Sequence, residues 1–69
     1  GPEETVLQRD EARRLLAAIE RLPEFERQVM LLRGAGWTAI ETCAALRCSK
    51  GSQYRAVRNG MARVRGAVG

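Results

Sequence analysis

The chain has 69 residues, 45% of them hydrophobic and 29% charged, with a formal net charge of +4. A chain of this length makes one domain and buries only about 60% of the surface its unfolded form exposes, so its core must be economical. No apolar run approaches the roughly 20 residues that a membrane span requires, no signal-peptide pattern is present, and His is absent. Gly1-Pro2 reads as the scar of a removed expression tag, leaving 3–69 as the domain and pointing to a longer parent protein.

Four helical stretches follow one another, and no strand pattern competes. From about Glu4 to Leu22, Val6, Leu7, Leu15, Leu16, Ile19 and Leu22 recur at the spacings of one helical stripe. Pro23 suits a first helical position, where a missing N–H costs nothing, and Glu24 and Glu26 favour the first turn. This second helix reaches Arg33, buries Val29 and Leu32 with Met30 or Leu31 beside them, and stops at Gly34-Ala35-Gly36. Thr38 with Glu41 forms a capping box that opens a short third helix, about Ala39 to Leu46. Arg47-Cys48 makes the turn, and Ser49 caps a fourth helix running to about Arg65. The expected fold is all-α: a small four-helix domain with a helix-turn-helix at about 38–65.

Charge is distributed unevenly along this layout. The first 46 residues carry six basic and eight acidic side chains, whereas Arg47 to Gly69 holds six basic and none acidic. A basic helix placed second in a helix-turn-helix is how many proteins enter the DNA major groove. At 100° per residue, Tyr54, Val57, Met61 and Val64 form one apolar stripe that predicts packing against the other helices. Ser52, Arg55, Asn59, Ala62 and Arg63 fall opposite, with Lys50 at the N-terminus and Arg58 and Arg65 on the flanks. Arg can read guanine and Asn an adenine edge, while Ser52 and the free amides near Ser49 can hold a phosphate. A basic face that is merely solvated is the alternative.

Enzymatic chemistry finds no foothold. There is no His, no paired carboxylate in the basic half, and no phosphate-binding glycine loop, since Gly34 and Gly36 read as a helix stop. No catalytic residue, cofactor, metal or small-molecule substrate is expected. Cys43 and Cys48 are five apart, which is neither C-x-x-C nor a zinc spacing. Two buried, reduced thiols in a cytosolic protein are the expectation.

The run from Ile19 to Arg65 resembles region 4 of bacterial RNA polymerase sigma factors, closest to the extracytoplasmic-function (ECF) group. The resemblance rests on Leu22-Pro23, on R-Q-V-x-L-L-R from Arg27 to Arg33, and on E-T-C-A-x-L from Glu41 to Leu46. It continues through S-x-G-x-Q from Ser49 to Gln53 and the closing Ala62-Arg63-Val64-Arg65, covering about two thirds of the chain. The resemblance implies a bacterial, cytoplasmic domain that recognises the promoter −35 element and docks on the RNA polymerase β-subunit flap during transcription initiation. An anti-sigma factor is a further partner it implies. Promoter contacts would fall on Lys50, Ser52, Gln53, Arg55, Arg58 and Asn59, to which the outward stripe adds Arg63. The flap would use an apolar groove between helices one and three, with Phe25, Val29 and Leu32 as partner-binding candidates. Ordinary packing against the first helix is the other reading of Phe25.

Three departures from the family pattern stand out. Arg47 occupies a turn position where Gly is common, so a left-handed backbone there costs about 1 kcal/mol and predicts a different route for the turn. Asn59-Gly60-Met61 replaces a more basic stretch, which predicts weaker DNA binding and a helix weakened by roughly 1 kcal/mol at Gly60. Trp37 replaces a common Leu and is expected to be core. Two alternatives therefore accompany the promoter-binding reading. One is the helix-turn-helix output domain of another transcription regulator. The other is a region 4 that serves mainly as a protein-interaction module.

Overall fold

A computed structural model describes the backbone of residues 2–68 and the side chains of 9–67. The readings placed on Val6, Leu7 and the Gly1-Pro2 scar concern side chains outside that range. The described residues form four helices in the expected order: α1 (Pro2–Glu20), α2 (Glu24–Gly34), α3 (Ala39–Leu46) and α4 (Lys50–Val68). No strand occurs among them, so the domain is all-α. No helix among them is long and apolar enough to cross a membrane.

The two long helices make the shape elongated. Its extents are 42 × 21 × 15 Å and its radius of gyration is 13.4 Å, against about 11 Å for a compact chain of this length. The price of that shape is a thin core. Ala18, Leu22, Val29, Ala56 and Val64 are its buried apolar residues, while Leu15 and Leu16 of the expected α1 stripe remain about half exposed. Of the pair flanking Val29, Met30 turns inward and packs against Ala18, Leu22 and Val64, whereas Leu31 is exposed.

Local chemistry sets the helix ends. Pro23 is the residue before α2 rather than its first helical residue: its ψ of 148° is extended, and its carbonyl accepts the Arg27 N–H at 2.9 Å. The α3 capping box is complete, with the Glu41 N–H donating to Thr38 Oγ1 at 3.1 Å and the Thr38 N–H donating to Glu41 Oε1 at 2.9 Å. The Thr38 backbone N–H first, and the Thr38 side chain second, hold the Glu41 carboxyl below its ordinary value. The fully buried Thr42 stays satisfied because its hydroxyl donates to the Thr38 carbonyl at 2.8 Å.

The α2 and α3 C-termini close in the same way. After α2, Gly36 is left-handed (φ 97°) and the Trp37 N–H reaches back to the Leu32 carbonyl at 3.1 Å. After α3, Arg47 is left-handed (φ 52°, ψ 50°) and the Cys48 N–H reaches back to the Cys43 carbonyl, also at 3.1 Å. Each is the six-residue closure of a Schellman-type end. The turn at Arg47 therefore takes the left-handed route after all, in a residue with a Cβ. Trp37 is not core: it is 42% exposed, its carbonyl held by the Arg33 guanidinium at 2.7 Å.

Candidate nucleic-acid interface

α4 carries the basic half of the chain, and its rotation decides which side chains are presented. The buried line is Gln53, Ala56, Gly60 and Val64, not the expected Tyr54, Val57, Met61 and Val64. The two lines differ by roughly 75° around the helix. Tyr54 is 65% exposed and Met61 is also exposed, while Val57 is half-buried. Close packing explains the rotation. A Cβ on Gly60 would lie 2.9 Å from Met30 Cγ and 3.1 Å from its Sδ, so the glycine lets α4 approach α2 closely.

This rotation sorts the seven DNA-binding candidates. Lys50, Arg55, Arg58 and Asn59 are exposed, and Ser52 is half-buried at the N-terminal end. Gln53 is corrected: it is buried against the core, where its Oε1 has no hydrogen-bond partner. Arg63 is exposed but is not a free cation, because its Nε sits 3.3 Å from Glu26 Oε2 on α2. That contact lacks hydrogen-bond alignment, so it is a charge contact only.

The α4 N-terminus organises two of these groups, Ser52 and Arg55. Ser49 Oγ accepts the Ser52 N–H at 3.1 Å and its hydroxyl donates to Ser52 Oγ at 3.0 Å. Arg55 Nη2 approaches the same Ser52 oxygen at 3.5 Å, drawing the guanidinium back along the helix toward its N-terminus. Ser52, Arg55 and Asn59 then line one wall of a cleft of about 210 Å³, opposite Phe25 and Glu26. Across the helix, a larger groove of about 390 Å³ is lined by Tyr54, Val57, Arg58, Met61, Ala62 and Arg65. Arg55 and Arg58 thus occupy the middle of a surface with a polar flank and an apolar flank.

Sequence reasoning missed Tyr54 and Met61 as surface residues. The signal was there in Ala56 and Gly60, small residues four apart, a pattern that permits close helix approach. The partner-binding candidates also divide. Val29 is fully buried and has no surface to offer, so that assignment is corrected, and Leu32 is half-buried. Phe25 is exposed at the cleft mouth. Compared with protein-family models, curated proteins and solved structures, the chain gives no significant match.

Proposed function

We propose that the chain is a helix-turn-helix DNA-binding domain of the kind found in region 4 of ECF sigma factors. In this reading α4 enters the major groove at a promoter −35 element, and RNA polymerase is the protein partner through its β-subunit flap. The observation that carries it is the pair Arg55 and Arg58, exposed one helical turn apart on a helix with no acidic residue, following a short capped helix and a tight turn. Arginine at such positions can bind guanine edges bidentately, while Lys50 and the α4 N-terminus suit phosphate. Because Arg63 faces Glu26, one fewer cation reaches phosphates, and the inward Gln53 removes one neutral base contact, so binding is weak and only moderately salt-dependent. Polymerase would then raise the local concentration of the domain at its element.

A salt series of duplex titrations tests the proposal, comparing promoter-derived −35 duplexes with scrambled ones. Affinity that falls with salt and prefers one sequence supports it. Absence of binding to any duplex at low salt would overturn it.

A second reading has its own support. Phe25, Leu31, Trp37 and Ile40 are large apolar residues left exposed on α2, the α2–α3 turn and α3. Such surface favours a module that chiefly holds a protein, either polymerase or an anti-sigma factor. Calorimetry against a flap fragment and against duplex in one buffer separates the readings: flap binding without duplex binding would favour the second.

A further inference from the structure

We propose that Cys43 and Cys48 are a thiol pair built to exchange with small-molecule disulfides, closing an intrachain disulfide across the turn between α3 and α4. Both cysteines are free and half-buried, so neither is sealed from a small oxidant. The backbone brings them together. The carbonyl of Cys43 accepts the N–H of Cys48 at 3.1 Å, and the Arg47 N–H converges on the same oxygen. With that contact made, standard bond lengths hold the two Cα atoms within about 7 Å. Disulfides span Cα separations of about 4.4–6.8 Å.

Side-chain direction agrees with the backbone. In this type of helix end the side chains of the residues joined by the six-residue closure pack on each other. Burial lifts the Cys48 thiol above its ordinary value, and the neighbouring Cys43 thiol raises it further. Among the described residues no third Cys, His or carboxylate joins the pair in a metal-holding group. Two thiols alone are short of the three or four protein ligands of a zinc site. Proximity of the two thiols, rather than an activated thiolate, is what favours the internal bond.

The chemistry balances in two steps. One cysteine thiolate attacks a sulfur of the small disulfide, leaving a mixed disulfide and expelling one small thiolate. The second protein thiolate then attacks the cysteine sulfur, forms the Cys43–Cys48 bond and expels the other small thiolate. The small disulfide is reduced to two thiols and the protein pair is oxidised. The bond would fix the turn that joins α3 to α4, whether or not that unit meets DNA.

The full chain, equilibrated in glutathione redox buffers and quenched with acid, tests this by intact mass and peptide mapping. The same equilibration in guanidinium chloride supplies the reference. Native folding is expected to raise the effective concentration of the pair at least tenfold over the denatured chain, with loss of two hydrogens mapped to Cys43–Cys48. Arg47→Gly, which keeps the left-handed turn without strain, should retain the native advantage, and its loss there would overturn the proposal, whereas Arg47→Pro, which cannot adopt that turn, should abolish it. Mixed glutathione adducts without the internal bond, interchain dimers, or no advantage over the denatured chain would each overturn the proposal.

Discussion

Gly60 on α4 faces Met30 on α2 so closely that an added Cβ would fall 2.9 Å from Met30 Cγ. Two opposing effects meet at this position. Replacing Gly by Ala in a helix gains about 1 kcal/mol of propensity, whereas overpacking costs typically 1–3 kcal/mol. Gly60→Ala is therefore expected to be net destabilising by about 1 kcal/mol. In a Met30→Ala background the same change should become stabilising, because only the propensity effect remains. Urea unfolding of the four chains checks the change of sign.

Burial sets the next contrast. Val29 is fully buried, whereas Val57 is half-buried at the edge of the α4 contact. Val29→Ala should cost about 2 kcal/mol, and Val57→Ala less than about 1 kcal/mol. Thermal melts rank the two, and an equal or larger loss at Val57 would mean that α4 is turned toward its apolar stripe.

The rotation of α4 also divides the arginines. Arg58→Ala and Arg55→Ala should each weaken duplex binding by about 1–3 kcal/mol. Arg63→Ala should change it much less, since its guanidinium already faces Glu26. Asn59→Ala, on the cleft flank, should fall between. Anisotropy titrations of folded variants measure this order, and a dominant loss at Arg63 would contradict it.

Arg47 holds a left-handed backbone at φ 52° and ψ 50°. An L-residue pays about 1–2 kcal/mol there, and glycine does not. Arg47→Gly should therefore raise stability by about 1 kcal/mol despite glycine's greater unfolded-state entropy. Chemical denaturation reports the shift directly.

The capping box gives a pH signature. Thr38→Ala should cost about 1 kcal/mol by removing the acceptor of the Glu41 N–H. Glu41's carboxyl has a folded-state value below its ordinary 4.5 because Thr38 hydrogen-bonds its ionised form. Its contribution is therefore complete above the unfolded value and is lost as pH falls through the lowered folded one. Glu41→Gln, compared with the parent chain from neutral pH to below pH 4, should remove that part of the acid dependence.

Much of the fold was legible along the chain because its signals are local. Thr38 with Glu41, Ser49 before Lys50, and Gly36 after α2 each act within a few residues, so helix order and ends could be read without tertiary contacts. The charge asymmetry, which marks α4 as the surface of interest, is likewise a property of sequence alone. The orientation of that helix is a different kind of quantity. Hydrophobicity favoured a stripe through Tyr54 and Met61, but Ala56 and Gly60 permit a closer approach to α2 than those larger side chains would. Close packing gains dispersion contacts along the whole crossing, and in a core this thin that outweighs burying one tyrosine and one methionine. Tertiary structure therefore decided that Gln53 points inward, that Arg63 meets Glu26, and that Arg55 and Arg58 remain exposed together.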